Sequence, residues 1–165
     1  MSDGKAASAS RIETTHIVMP SDANGFGTAF GGTVMAWIDL AASMAAMRHA
    51  RLPVVTASVD QLNFLAPIRV GDMAILVARV NATFGRSLEV EVEVVSEGPA
   101  SGIRRRCCDA FLTFVAVGPD GKPTRVPPLR CETEEEKLRA EQAIARREAR
   151  LAYRRIGTPS DAVRP

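Results

Sequence analysis

A long apolar segment with very few polar interruptions constrains this chain more than any other feature. From Val34 to Met47, only Asp39 and Ser43 interrupt a run of aliphatic residues, methionines and one tryptophan. Its composition favours a helix, and a helix that is apolar on every side is buried on every side. We therefore predict a helix enclosed by other structure. The run is too short and too interrupted for a membrane span.

Polar groups cluster around this helix in a way that is typical of acyl-transfer chemistry. Asp39 lies on the helix, and Ser43 follows one turn later on the same face. Gly31 and Gly32 precede the helix, where free backbone N–H groups can bind an oxygen atom. Asn24 lies in the glycine-rich loop before them. A carboxylate, a hydroxyl, an amide and free N–H groups near one helix end indicate a candidate active site.

Each of these residues also has a structural interpretation. Asp39 can form a buried salt bridge, and Asn24 can shape a turn because asparagine tolerates left-handed geometry. Gly31 and Gly32 can serve close helix–sheet packing. Ser43 can donate a hydrogen bond back to the carbonyl of Asp39. The residues alone leave these alternatives open.

The rest of the chain predicts long β-strands joined by short turns. Residues 88–96 alternate valine and leucine with glutamate, which is typical of a half-buried antiparallel strand with its glutamates toward solvent or a neighbouring strand. Further strands are predicted over residues 11–19, 54–64, 74–83 and 103–117. One helix among such strands fits an antiparallel sheet wrapped around it, an α+β fold. An open edge strand invites pairing with a second copy.

The C-terminal part predicts a second, charged helix. Residues 132–156 begin with glutamates and end with arginines, as the helix dipole favours. A solvated helix packed lightly on the body is the simpler interpretation, and arginines that hold phosphate groups are the alternative. The predicted organisation is a disordered leader over residues 1–10, a domain over 11–130, this helix within 131–156, and a flexible tail over 157–165.

Composition narrows the class of protein. The net charge is only +2 and aromatic residues make up 5%, which argues against a nucleic-acid surface. The three cysteines and two histidines show no zinc spacing, so we predict reduced thiols and no metal. The first ten residues lack the apolar stretch of a signal peptide, so we expect a cytoplasmic protein.

Ordered sequence blocks over residues 14–129 resemble the hot-dog-fold acyl-CoA thioesterases of the cytosolic acyl-CoA hydrolase type. A single Phe-Gly-Gly would mean little, whereas this many blocks in family order form a specific pattern. The blocks are Met19–Asn24, Gly27-Thr28, Phe30–Gly32, Trp37–Asp39, Val55–Asp60, Phe64–Ile68, Val70–Asp72, Gly85–Ser87, Phe111–Val117 and Val126–Leu129.

The resemblance implies a hot-dog fold, a long antiparallel sheet around one central helix, and hydrolysis of acyl-CoA to a carboxylic acid and coenzyme A. It makes Asp39 the general base or nucleophile and Asn24 the loop amide, which meet across a dimer interface. It places Gly31 and Gly32 as oxyanion donors and Ser43 as a hydroxyl that orients the water or the carboxylate.

The resemblance also implies a substrate-binding turn, an assembly and a cofactor requirement. Gly85, Arg86 and Ser87 match a segment near bound coenzyme A, although a plain hairpin turn is the alternative. A homodimer is implied, and with it a homohexamer built as a trimer of dimers. No cofactor is implied, because coenzyme A is part of the substrate, and no nucleic acid or membrane partner is expected.

Two other activities remain as alternatives. Hot-dog dehydratases also act on acyl thioesters, but they require a histidine beside the acid. Neither His16 nor His49 lies in the loop from Asn24 to Gly32 or one turn from Asp39. A non-catalytic acyl-CoA-binding protein would keep the fold and could lose the acid.

Overall fold

The two helices and the five long strands follow the order expected from the sequence, whereas the short strands β1 (Lys5–Ala6) and β7 (Leu129–Arg130) were not predicted. The computed structural model describes residues 4–156. Two short 3-10 helices, Ser8–Ser10 and Pro20–Asp22, accompany the main elements. These are β1 Lys5–Ala6, β2 Ile12–Ile17, α1 Gly31–Ala50, β3 Val54–Phe64, β4 Met73–Thr83, β5 Ser87–Glu97, β6 Arg104–Ala116, β7 Leu129–Arg130 and α2 Glu134–Ile156.

Five of the strands form one antiparallel sheet in the order β2-β4-β5-β6-β3. The strands β4, β5 and β6 follow one another in the chain and pair as neighbours, whereas β3 pairs with β6 at one edge and β2 with β4 at the other. Helix α1 packs against all five strands. This arrangement confirms the predicted α+β architecture, with the long sheet curved around a central helix and an additional C-terminal helix.

The prediction that α1 is buried on every side is wrong for the single chain. One face, which includes Val34, Ile38 and Ala42, is buried against sheet residues such as Leu76 and Leu112. The sheet reaches only this side of the helix. On the opposite side, large apolar residues are exposed, among them Met35 at 45% and Leu40 at 55%. Apolar exposure on this scale is typical of a surface that a partner covers.

The exposed side of α1 is continued by the edge strand β3. Val55, Val59 and Phe64 of this strand are also among the exposed large apolar residues. An unpaired strand edge offers free backbone N–H and C=O groups to another strand. Neither helix of residues 4–156 combines the length and apolar character that crossing a membrane requires.

Helix α2 covers the face of the sheet that points away from α1. Successive side chains of β5 alternate between the faces, so that Val90 packs in the core while Glu89 and Glu91 face α2. Glu89 is fully buried and accepts hydrogen bonds from the Arg146 guanidinium, the closest at 2.8 Å. Arg139 lies 3.3 Å from Glu91. Glu89 and Glu91 therefore bind the second helix, whereas Glu93 lies 3.6 Å from Arg106 of the neighbouring strand β6, as the sequence predicts.

These ion pairs show that α2 is not the lightly packed, solvated helix that the sequence favours. Arg146 also lies over the ring of Phe111, 3.7 Å from its centroid, and Arg150 pairs with Asp60 and donates to the Thr113 hydroxyl at 2.7 Å. Removing one partner of a buried ion pair leaves an uncompensated charge, which costs about 3–5 kcal/mol. Helix α2 is thus fixed to the body, and Arg146 and Arg150 are occupied by carboxylates instead of being free to bind phosphates.

The prediction of a disordered leader over residues 1–10 is wrong for residues 4–10. Strand β1 pairs in parallel with β7, and the Lys5 N–H donates to the Pro128 carbonyl at 2.8 Å. Ser10 is buried, and its hydroxyl lies 3.0 Å from Nδ1 of His49. Small polar residues gave no apolar pattern from which this docking could be predicted. The predicted flexible tail over 157–165 lies outside the described residues.

His49, near the C-terminal end of α1, is hydrogen-bonded to Ser10 in the N-terminal segment and to Pro127 in the segment before β7. The imidazole is fully buried, and its Nε2 lies 3.0 Å from the carbonyl of Pro127. Because a carbonyl only accepts, Nε2 carries the proton, and Nδ1 accepts the hydroxyl proton of Ser10. The pKa of His49 is lowered, mainly because the ring is buried. The hydrogen bond to Pro127 raises the pKa, and the positive charge of the nearby Lys5 lowers it. The neutral ring therefore holds the segment that contains Pro127 in place.

Candidate active site

Asp39 lies near the middle of α1 on its exposed side, not in the buried position that the sequence predicts. Its Oδ1 accepts a hydrogen bond of 2.8 Å from the Thr56 hydroxyl on the edge strand β3. Within residues 4–156, Oδ2 has no hydrogen-bond partner. One carboxylate oxygen is thus oriented by the protein, and the other is available to a water molecule or a substrate.

The N-terminal end of α1 presents free hydrogen-bond donors. Phe30 is the N-cap residue and provides no side-chain cap, and the first helical bond runs from the Val34 N–H to the Phe30 carbonyl at 3.1 Å. Among the described residues, the N–H groups of Gly31, Gly32 and Thr33 have no hydrogen-bond partner. These donors lie at the positive end of the helix dipole, where they can stabilise a developing negative charge.

Gly32 and Asp39 lie on the same side of α1 but two turns apart, because their separation of seven residues corresponds to about 10 Å along the axis. A donor that stabilises an oxyanion and a base that activates the attacking water must both lie within about 3 Å of the reacting groups. The helix start and Asp39 of one chain are therefore too far apart to act on one carbonyl group.

Asn24 shapes the loop before α1 in the single chain. Its Oδ1 accepts hydrogen bonds from the backbone N–H groups of Phe26 at 2.9 Å and Thr28 at 3.3 Å. Its Nδ2 donates to the Thr28 hydroxyl at 3.0 Å, which leaves the second N–H of the amide free. This geometry agrees with the turn interpretation of Asn24. No contact within the chain joins Asn24 to Asp39, so its role as a catalytic amide stays a prediction.

Ser43 forms no hydrogen bond with Asp39 within residues 4–156. Its hydroxyl donates to the backbone carbonyl of Leu40 at 2.8 Å. Such a bond to the preceding turn is the usual local partner of a serine inside a helix. Ser43 therefore bonds back to a helix carbonyl, as the structural alternative supposes, but the carbonyl is that of Leu40 and not that of Asp39. The part proposed for Ser43 in orienting water stays a prediction.

Two arginines line a cavity of about 1060 Å³, which we call the arginine cleft. Gly85 has a left-handed backbone, with φ of 76°, and its carbonyl accepts the N–H of Val126 at 2.9 Å, which joins two loops. Neither Arg86 nor Arg125 forms an ion pair within the described residues. The lining residues are Ala50, Thr83, Phe84, Gly85, Arg86, Arg125, Val126, Pro127 and Pro128. Two free guanidinium groups in one cleft suit an anion.

Ser87, the third residue of the predicted substrate-binding turn, does not line this cleft. Its carbonyl accepts the Phe84 N–H at 2.7 Å, which closes the turn at the beginning of β5. The turn is thus a tight connection between β4 and β5, as the hairpin alternative supposes, and it also places Gly85 and Arg86 in the cleft.

A second cavity, which we call the apolar pocket, lies at the opposite end of α1. Its volume is about 370 Å³. Gly31 forms part of its wall, so that the pocket adjoins the free N–H groups of the helix start. Its lining residues are Ala29, Gly31, Val34, Phe64, Leu65, Ala66, Pro67, Ile68 and Cys107.

Thr56 and Arg125 are the candidate site residues that sequence reasoning missed. Thr56 lies in one of the blocks that carry the family resemblance, but its partner Asp39 precedes it by 17 residues on another element. Arg125 lies in a loop that no pattern marked. In the described residues, no group of three His, Cys, Asp or Glu side chains could hold a metal ion.

Comparison with known proteins places this geometry in a family. The model of the thioesterase superfamily matches residues 26–103. An uncharacterized acyl-CoA thioester hydrolase of Bacillus subtilis is 40% identical over 146 residues, which covers 88% of this chain and 85% of the relative. The cytosolic acyl coenzyme A thioester hydrolase of Rattus norvegicus is 39% identical over 83% of this chain but only 36% of its own length.

Solved structures show the same similarity. The acyl-CoA hydrolase of Staphylococcus aureus in complex with butyryl coenzyme A has a TM-score of 0.85 at 39% identity, covering 91% of this chain and 92% of that one. An apo-hexameric acyl-CoA thioesterase has a TM-score of 0.88 at 42% identity, covering 94% and 98%. Alanine mutants of one aspartate, one threonine and one asparagine of the Staphylococcus hydrolase have also been solved, the last with coenzyme A. The chain belongs to the hot-dog-fold acyl-CoA thioester hydrolases of the thioesterase superfamily.

Proposed function

We propose that this protein hydrolyses acyl-CoA thioesters to a carboxylic acid and coenzyme A. The observation that carries the proposal is the exposed Asp39 carboxylate, oriented by Thr56 on a surface that also presents free helix N–H groups. The alanine mutants of the Staphylococcus hydrolase support it, because their residue types and spacing along the chain match Asn24, Asp39 and Thr56 here.

The proposed reaction is an acyl transfer to water. Asp39 accepts a proton from a water molecule, whose oxygen attacks the thioester carbonyl carbon. Donors stabilise the negative charge that develops on the carbonyl oxygen. The C–S bond then breaks, and the coenzyme A sulfur leaves and takes up a proton. Direct attack by Asp39, through an anhydride that water later hydrolyses, remains the alternative chemistry for the same residue.

We propose that each site is shared between two chains. Asp39 and the helix start of one chain lie about 10 Å apart, too far for one carbonyl group. Asn24 likewise has no contact with Asp39 in its own chain. An antiparallel arrangement of two α1 helices would bring the helix start and Asn24 of one chain to Asp39 of the other. Asn24, Gly31 and Gly32 would then supply the donors, and Asp39 the base.

The exposed apolar side of α1 and the open edge of β3 support the homodimer. Met35 and Leu40 would be buried against the partner, and the two β3 edges would pair into one continuous sheet. A homohexamer, a trimer of such dimers, is the finer proposal, and it is supported by the hexameric thioesterase to which the chain is similar.

The arginine cleft is the proposed site for the phosphate groups of coenzyme A. Arg86 and Arg125 supply positive charge, and the absence of a side chain at Gly85 allows close approach. Ala50, at the edge of the cleft, follows Asp39 by about 16 Å along α1, a distance that the long pantetheine arm must span. Ser87 is retained as a residue of the turn that positions Arg86.

We propose that the reaction needs neither metal nor cofactor, and that neither nucleic acid nor a membrane is a partner. A cytoplasmic location is supported by the three free cysteines, since reducing compartments keep thiols unpaired.

The dehydratase alternative receives no support from the positions of the histidines. His49 is buried and bonded to Ser10 and Pro127. The ring of His16 stacks on Trp37, with centroids 4.8 Å apart. Neither imidazole contacts Asp39, so no histidine is available beside the acid within the described chain.

The direct test is release of free coenzyme A from butyryl-CoA and palmitoyl-CoA, followed with a thiol-reactive dye. We expect release that is unaffected by a chelator. No release from any acyl-CoA, although the protein binds it, would support the non-catalytic alternative. Loss of activity with the chelator, restored by a divalent ion, would contradict the metal-free proposal.

A further inference from the structure

The apolar pocket at the start of α1 has the properties of a site for a short hydrocarbon chain. Its walls are formed almost entirely by apolar side chains, including the buried Val34 and Ile68. The polar group among them, the Cys107 thiol, already lies 3.3 Å from the Ser96 hydroxyl and 3.2 Å from the Arg105 carbonyl. The pocket therefore offers contact without hydrogen bonds, which suits an alkyl group.

Its position fixes which part of a substrate can reach it. Gly31 both lines the pocket and begins the helix whose first N–H groups are free. A carbonyl oxygen bound at these donors has its carbon chain beside the pocket mouth. The arginine cleft lies at the other end of α1. In the proposed shared site, the apolar part of an acyl-CoA would enter the pocket of the chain whose helix start binds the carbonyl oxygen, and the anionic part would reach the cleft of the chain that supplies Asp39.

Phe64 forms the wall that limits this pocket. A Cβ atom built on Gly31 would lie 3.4 Å from Cζ of the Phe64 ring, so that the ring packs directly over the helix start. The N–H groups of Leu65 and Ala66 donate to the Cys107 carbonyl at 2.8 and 3.3 Å, which holds this wall in place. Phe64 is 54% exposed in the single chain and does not belong to the buried core.

We propose that the apolar pocket receives the acyl chain and that Phe64 sets the chain length that the protein accepts. This inference rests on the proposed thioesterase activity. At about 370 Å³ the pocket is near the lower limit of ligand pockets, which run from about 300 to 1000 Å³. Each methylene that the pocket buries is worth about fourfold in binding, whereas carbons beyond those that the pocket can hold gain nothing. The pocket therefore favours short acyl groups over long ones.

Two variants that change the pocket in opposite directions test the proposal. Phe64→Ala opens the wall, and Ala66→Leu fills the pocket from a half-buried position. Ile103→Ala removes an exposed apolar side chain outside the pocket and is the matched control. For each, kcat/KM is measured for butyryl-CoA and octanoyl-CoA. Calorimetry gives Kd for the uncleavable thioethers S-butyl-CoA and S-octyl-CoA. Circular dichroism and oligomer mass check the fold.

The ratio of octanoyl to butyryl kcat/KM should rise at least about tenfold in Phe64→Ala and fall about tenfold in Ala66→Leu, with the thioether Kd ratios following. The Ile103→Ala ratio should equal that of the wild type. If hydrolysis persists but neither variant changes the ratios, the acyl-pocket inference is overturned while the thioesterase proposal stands. If the Kd ratios shift as expected but no thioester is hydrolysed, the pocket stands and the thioesterase proposal fails. Unchanged Kd ratios without hydrolysis overturn both.

Discussion

The Thr56 hydroxyl on the edge strand β3 donates a 2.8 Å hydrogen bond to the Asp39 carboxylate on helix α1. This contact joins the one acidic residue of the central apolar helix to the strand that lies at the open edge of the sheet. It fixes the orientation of the carboxylate at the surface where a second chain would pack. The hydrogen bond makes Thr56 a positioning residue for the proposed base.

Thr56→Ala should lower kcat for coenzyme A release by about ten- to hundredfold, because a hydrogen bond to a charged group contributes about 1.5–3 kcal/mol. KM should change little, since the hydroxyl is bonded to Asp39 and the proposed reaction gives it no part in binding the substrate. Thr56→Ser keeps the donor and should stay within about threefold of the wild type. A Thr56→Ala enzyme with full kcat would show that Asp39 does not depend on this contact.

Activity should return when two inactive variants share a dimer. Asn24→Ala and Asp39→Ala each remove one side of the proposed shared site. After dissociation and reassociation of a mixture, part of the dimers hold one intact site formed by the Asn24 of one chain and the Asp39 of the other. The regained rate should approach one quarter of the wild-type rate at equal mixing. Persistent inactivity in a sample whose mass spectrum shows heterodimers would exclude a shared site.

If the arginine cleft binds the phosphates of coenzyme A, its arginines should matter only for substrates that carry the nucleotide part. Arg86→Gln and Arg125→Gln should each raise KM for an acyl-CoA about tenfold, with little change in kcat, because they remove charge-assisted bonds to phosphate. KM for an acyl-pantetheine thioester, which lacks the nucleotide, should not change. Arg105→Gln, at an exposed arginine outside the cleft, is the control. Equal effects on both substrates would show that the cleft does not hold the nucleotide part.

His49 should make stability depend on pH. Burial lowers the pKa of His49 below its ordinary value of 6.5, so the unfolded chain binds the proton more readily than the folded one. Its contribution to stability is therefore complete above about pH 6.5 and is lost as the pH falls from there toward the lowered pKa. In urea unfolding at pH 8 and pH 5.5, His49→Gln should lose less stability on acidification than the wild type. Identical pH dependence in His49→Gln would contradict this assignment.

Periodicity was sufficient to predict most of the fold. The alternation of Val90 and Val92 with Glu89 and Glu91 identifies a strand with one apolar face, and the apolar run after Gly32 identifies the central helix. The positions of these elements follow from local pattern alone. Which element covers the glutamate face does not, because a strand sequence carries no record of its partner, and helix α2 supplies that partner through Arg146.

The candidate site was predictable only where a residue stands out from its own local pattern, and not where its role depends on a contact with another element. Asp39 stands out as a charge on an apolar helix, but its exposure depends on the sheet covering only one side of α1. Thr56 carries no local signal, since threonine is ordinary in a strand and its role arises from a contact with another element. Docking of residues 4–10 likewise depends on β7 and His49, which are distant in the sequence.

The turnover of Asp39→Asn tests the central claim most directly. The amide keeps the shape and can still accept the Thr56 hydrogen bond, but it cannot take a proton from water. We predict that kcat for coenzyme A release falls by at least about a hundredfold, the scale for losing a positioned general base, while KM, the circular dichroism spectrum and the oligomer mass stay unchanged. A folded Asp39→Asn protein of unchanged mass that retains near-normal kcat would show that Asp39 is structural and would contradict the proposed mechanism.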